Sequence, residues 1–321
     1  MKTATLASVV CVLSLLLIAA AARGAEPAAG GAAVNSNDGA GSIPIKDDDT
    51  NKAIALYRAE NVPFKPYLKD LYTPGGVNVL RDAPPDHLHH HALMFAIGIE
   101  KTDFWSETPG CGKEVDKEHG LSETWGPGKP NAVRIRETLD WMAPGDEKPL
   151  AKETRDVEVY HGGNLGATLV IWRTTLTPDS DRPSVKLFGS HYFGLGLRLP
   201  IPMEKATEFL AADPKAPRDN VRGDENVFPS KWLAALGEVD GKPVTVAMFD
   251  GPANARPVRW FTMNNPFAYM SATLNLYKEP MTLEAGKPLA LTYGVAACDG
   301  KKTAEEIEKL YQRWLGLFPK K

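Results

Sequence analysis

The chain has 321 residues, with 43% hydrophobic and 24% charged side chains and a formal net charge of −3. These values exclude a wholly disordered chain and a multi-span membrane protein. No basic block stands out, so nucleic acid is a poor candidate partner and none is expected. Gly 28 and Pro 26 together supply about one residue in six, which favours turns and short strands over a helix bundle.

The N-terminus has the order of a secretory signal peptide: Lys2, an apolar run over residues 6–22, then small residues around Ala22-Arg23-Gly24-Ala25. Residues 1–24 are therefore read as a signal, cut after Gly24 or after Ala22, with an uncleaved anchor as the alternative. Cys11 lies mid-run behind Val10, the wrong context for a lipid anchor. Loss of Lys2 and Arg23 leaves 35 basic against 40 acidic residues, a mature charge of −5. The expectation is an exported protein, periplasmic or extracellular, with no stable membrane insertion after cleavage.

Residues 25–51 are rich in Ala, Gly, Ser and Asn and read as a flexible leader, because little apolar surface is available to offset ordering. Residues 52–321 read as one β-sandwich domain. Val133-Arg134-Ile135-Arg136 alternates apolar and charged, as a half-buried strand does. Residues 169–177 are β-branched and stop at Pro178. Asp240-Gly241 between two apolar runs is a hairpin signal. Residues 289–296 form a further strand, and residues 203–213 read as a short helix. Thr303 and Glu306 frame a capping box, followed by Ile307, Leu310, Tyr311, Trp314 and Leu315 at helical spacing. The fold class predicted is all-β, a large antiparallel sandwich with a C-terminal helix. Two cysteines remain after the signal, Cys111 and Cys298. Export permits their pairing, but sequence leaves it open.

Asp86-His87-Leu88-His89-His90-His91 holds four of the seven histidines. An extended backbone would point His87, His89 and His91 to one face. Three imidazoles there can ligate a divalent metal such as zinc, manganese or copper. Alternatively His87, His89 and His90, with Asp86, can serve as acid–base groups, or the run can be a surface loop capping backbone groups. His119, His161 and His191 are scattered and read as structural. Arg198 ends an apolar strand, where it can hold a sugar hydroxyl or a carboxylate. Trp105 and Trp125 read as pocket rims suited to stacking on a sugar ring, and Asn265 as an amide that reads hydroxyls. No Ser-centred elbow, phosphate-cradling loop or dinucleotide fingerprint occurs.

Together these motifs resemble the PmoA family of secreted bacterial proteins. The resemblance rests on Gly75-Gly76-Val77, Arg81-Asp82, Pro84-Pro85-Asp86-His87-Leu88-His89-His90, Asp103-Phe104-Trp105 and Asn265-Pro266-Phe267, across residues 52–300. Two places depart from it: His91-Ala92 stands where the family carries Arg-Gly, and Asp250-Gly251-Pro252 lacks its His-Pro. The family name evokes a membrane oxygenase subunit, which needs several apolar spans of about 20 residues. This chain has none after its signal. The resemblance implies instead a galactose-mutarotase-like supersandwich with a sugar-binding face. The resulting expectation is an exported protein acting on a sugar or small glycoside by hydrolysis, β-elimination or epimerisation. A non-catalytic carbohydrate-binding or interaction module is the alternative.

Overall fold

The computed structural model describes residues 41–47, 50–124 and 130–318. The signal segment 1–24, residues 25–40 of the leader and Trp125 lie outside the described residues. Among the described residues, twenty-one strands form three antiparallel sheets, and the sole α-helix is Ala304–Gly316. The all-β sandwich with a C-terminal helix is therefore the observed fold.

The first sheet has nine strands, in the order Ser42–Lys46, Ala53–Arg58, Tyr67–Leu71, Leu93–Ala96, Gly194–Arg198, Tyr269–Thr273, Arg259–Met263, Glu225–Pro229 and Asp219–Arg222. The second has eight, from Glu208–Ala211 through Trp232–Val239, Lys242–Asp250, Leu289–Asp299, Thr168–Pro178, Ala151–His161 and Asn131–Met142 to Lys113–Thr124. A four-stranded sheet built on Ser184–Phe188 completes the set.

The side-chain period explains the layering. In Asn131–Met142, Val133, Ile135, Leu139 and Trp141 face the core while Arg134 and Arg136 face outward. Strands Thr168–Pro178, Lys242–Asp250 and Leu289–Asp299 are buried on both faces. One face joins the main core; the other, with Leu169, Ile171, Phe249 and Ala296, receives Ile307, Leu310, Tyr311 and Trp314 of the helix. Each of these four helix side chains contributes about 1.5–3 kcal/mol by burial. The capping box forms as predicted, with Thr303 Oγ1 accepting from the Glu306 amide and the Glu306 carboxylate accepting from the Thr303 amide. Asp240 and Gly241 both take positive φ, 51° and 72°, the conformation that a two-residue hairpin needs.

Three expectations need correction or completion. Ser42–Lys46, placed in the leader, is an edge strand paired with Ala53–Arg58. Its Ile45 is buried, so the ordered domain starts before residue 52. Residues 203–213 do not form a helix: Ile201–Met203 is a single 3-10 turn, and Glu208–Ala211 pairs with Trp232–Val239. Pairing at the edge of the eight-stranded sheet holds residues 208–211 extended. Cys111 and Cys298 are both buried free thiols.

Candidate functional site

Register brings the candidate residues to one end of the nine-stranded sheet. The histidine run leads into Leu93–Ala96, whose Leu93 pairs with Leu197. Arg198 pairs with Tyr269, and Tyr269 with Met263. Asn226 pairs with Thr262, which puts Glu225 and the turn before it at the same end.

The run itself is not extended. The His87 amide donates to Pro84 O and the His90 amide to His87 O, each at 2.9 Å, making two successive turns. This overturns the alternation predicted for His87, His89 and His91. Instead the rings of His87, His89 and His90 gather: 4.6 Å between His87 and His90, 4.6 Å between His89 and His90, and 5.6 Å between His87 and His89.

His91 turns away. Its Nδ1 lies 2.9 Å from Asp82 and its Nε2 3.0 Å from Glu107, with its ring stacked on Tyr67. Burial disfavours its charge, but the hydrogen bonds to the two carboxylates outweigh that and raise its pKa. With both ring nitrogens engaged, His91 does not complete a three-imidazole metal site. Among the described residues, the three metal-type donors within 4.8 Å of one another belong to Glu60, Asp116 and His119, away from this run.

The gathered imidazoles form one wall of a cleft of about 700 Å³. Phe267 meets His87 and His90 edge-on, at 4.6 and 5.3 Å, and Tyr269 lies 5.2 Å from His90. Tyr192 and Phe261 extend the aromatic wall, while Ser106, Asn265, Arg222, Asp224 and Glu225 supply polar groups. Asp224 accepts from the backbone amides of Asn264 and Asn265, at 2.8 and 2.9 Å, which fixes the loop carrying Asn265 and Phe267. Glu225 is buried between Arg222 Nε at 2.9 Å and His191 Nε2 at 3.1 Å.

The cleft keeps two of its imidazoles neutral. Burial, then the charges of His87 and Lys65, lowers the pKa of His89. Burial, then His89, His87 and Arg198, lowers that of His90 to about 2. Asp86 behaves oppositely. Burial alone would raise it, but hydrogen bonds from His87 and Arg198 and the guanidinium charge hold it well below the usual carboxylate range.

Two predicted contact residues stand behind the wall. Trp105, expected at the rim, is 1% exposed and stacks on Phe193 at 5.2 Å, beneath His90 and Tyr269. Arg198, expected to hold substrate, is also 1% exposed. It bonds to Asp86 at 3.0 Å and Glu204 at 3.1 Å, with Phe267 3.5 Å beneath its guanidinium. Sequence reasoning missed Tyr192, Tyr269, Arg222, Asp224 and Glu225. The one local signal was the polar turn Arg222-Gly223-Asp224-Glu225, with Gly223 at φ 55°.

A model of the family described as "Family of unknown function (DUF6807)" matches residues 46–312. That name differs from the PmoA resemblance of the motifs. A search of the curated proteins finds no match. Among solved structures, an alpha-galactosidase from Lactobacillus brevis is similar at 8% identity and TM-score 0.49, over 85% of this chain and 42% of that one. A galactose mutarotase related enzyme from Lactobacillus acidophilus is similar at 11% identity and TM-score 0.46, over 82% of this chain and 100% of that one. A putative aldose 1-epimerase from Klebsiella pneumoniae subsp. pneumoniae is similar at 11% and 0.40, over 83% and 78%. This chain spans less than half the length of the first two structures found, the Lactobacillus galactosidase and the galactosidase domain of an alpha-galactosidase-sucrose kinase.

Proposed function

The chain belongs to the DUF6807 family, whose function is unknown, and from the cleft itself we propose an exported, carbohydrate-active protein. It takes a sugar or small glycoside into the cleft and acts on it by hydrolysis, β-elimination or epimerisation. The observation that carries this reading is the meeting of an aromatic wall, three gathered imidazoles and fixed amide and carboxylate groups around one open space of about 700 Å³. The apolar C–H face of a sugar stacks on Tyr192, Phe261 or Phe267. Its hydroxyls bond to Ser106, Asn265 and Asp224. His89, held neutral, accepts a proton, and His87 beside Asp86 is placed to give one. No step is routed through a metal ion, because the expected ligand His91 is engaged by Asp82 and Glu107.

The non-catalytic module has one observation in its favour: both oxygens of Glu225, the most buried carboxylate of the cleft, are already bonded. A turnover screen over aryl glycosides and oligosaccharides, comparing wild type with His89→Ala, separates the two. The enzyme reading expects turnover that falls by about 10²–10⁴-fold in the variant. Sugar binding without turnover, unchanged by His89→Ala, overturns it in favour of the module.

A further inference from the structure

We infer that His90 serves the cleft only as a neutral Nε2–H donor, and that Arg198 is the positioning residue that sets this tautomer. The inference rests on the reading of the cleft as a site that handles oxygen-rich ligands. It goes further by removing one of the three histidines from proton transfer.

The chemistry is that of the guanidinium. Arginine has five N–H donors and no acceptor. Nη1 of Arg198 lies 3.4 Å from Nδ1 of His90 and donates to it. Nδ1 must therefore present a lone pair, and the ring's proton sits on Nε2. An imidazolium would set an N–H against an N–H across the same gap. The tautomer then depends on whether the guanidinium can turn away, and it is held on three sides. Asp86 and Glu204 accept from Nη2 at 3.0 and 3.1 Å, and the Phe267 ring lies beneath Cζ at 3.5 Å. Glu204 is itself fixed by Arg81 at 2.7 Å.

The imidazole is equally held. It is 6% exposed, stacked on His87 and packed against Tyr269 and Phe267. His90 lines the cleft, and among the described residues no protein group is bonded to its Nε2. The Nε2–H is thus offered to a ligand. A neutral imidazole is a far weaker acid than an imidazolium, so it donates a hydrogen bond and keeps its proton. Its partner is an acceptor oxygen that gains negative charge as the reaction proceeds, the setting in which a fixed donor is most effective. Proton transfer falls to His87 and His89.

The test is ring ¹⁵N NMR on the full chain labelled at histidine, from about pH 5 to pH 8. The His90 ring is assigned by its disappearance in His90→Gln. The expected spectrum has a protonated Nε2 and a bare Nδ1, unchanged across that range, and in Arg198→Met a mixture of tautomers. An Nδ1–H tautomer, or a ring that titrates within the range, overturns the inference from wild type alone, even where Arg198→Met fails to fold. In the activity arm, His90→Gln keeps an N–H donor near the same place and is expected within about tenfold of wild type. His90→Ala is expected to lose about a hundredfold. A folded His90→Gln as impaired as His90→Ala overturns the donor role. The spectrum needs no substrate, so the tautomer is decided separately from whether any glycoside is turned over.

Discussion

Gly196→Ala tests how tightly the wall behind the cleft is packed. Gly196 lies mid-strand, opposite Met94 on one side and Ser271 on the other, in backbone that any residue can adopt. The obstacle is space. A Cβ there would stand 1.7 Å from Tyr269 Oη and 2.7 Å from Trp105 Cη2, whereas real Cβ contacts do not fall under 3.0 Å. The tyrosine hydroxyl must therefore retreat by at least about 1.3 Å. Tyr269 is 2% exposed, hemmed in by His90, Trp105 and Phe261, so the strain is shared among rings that have little room. Overpacking of this kind costs about 1–3 kcal/mol. A companion variant isolates the cause. Tyr269 Oη is buried with no partner among the described residues, so Tyr269→Phe removes an unsatisfied hydroxyl and is expected to be neutral or mildly stabilising. In the double variant the atom at 1.7 Å is gone, but Trp105 Cη2 and Tyr269 Cζ remain at 2.7 and 2.8 Å. Rescue is therefore partial, with a coupling of about 1 kcal/mol. Urea unfolding followed by tryptophan fluorescence reads all four proteins. A Gly196→Ala chain as stable as wild type, or strictly additive losses in the double variant, would refute the packing argument.

Two further substitutions probe the charges around this wall and in the core. His91→Gln removes an imidazolium bridging Asp82 and Glu107 and is expected to cost about 2 kcal/mol at pH 6. Because the folded pKa of His91 is raised, its contribution is fully present below the unfolded value of about 6.5 and is lost as pH climbs through the folded value. The stability gap to wild type should shrink from pH 6 toward alkaline pH in urea titrations; a widening gap contradicts the assignment. Arg155, fully buried, bonds to Glu153 and Glu114 at 2.8 Å. Arg155→Met strands both carboxylates and is expected to cost about 3–5 kcal/mol, or roughly 10 °C in Tm. A calorimetric shift below about 2 °C would show that the carboxylates take up protons without penalty.

The parts of this molecule legible in its sequence are those set by local period and local hydrogen bonding. The Asp240-Gly241 hairpin, the Thr303–Glu306 capping box and the apolar helix face all formed as read, because each is decided within about ten residues. A strand period fails for the histidine run because the Pro84 and His87 carbonyls capture amides three residues on. That single difference moves His90 into the cleft and His91 out of it. Ser42–Lys46 was missed because two isoleucines are a weak signal until Ala53–Arg58 offers a partner. Tyr192 stands just before strand Gly194–Arg198 and Tyr269 opens the strand paired with it, so pairing between distant segments and no local pattern brings these two together. Glu225 had one local signal, the polar turn it closes.

Adjacent histidines are driven in opposite directions by what stands behind them. A line of alternating charge, Arg81–Glu204–Arg198–Asp86, approaches the turn from one side. Burial keeps the His90 ring uncharged, and the guanidinium that faces it adds to the effect. On the other side Asp82 and Glu107 face His91 and favour its charged form, with Lys65 holding Glu107 in place. His91 therefore ties the turn to the scaffold by paired charge, and His90 is left free to meet a ligand. The two roles cannot be exchanged. A charged ring at 90 would confront Arg198, and a neutral one at 91 would leave two carboxylates short of a cation. The division of labour follows from the turn at Pro84, since an extended run would have sent His90 to the face opposite His87 and His89.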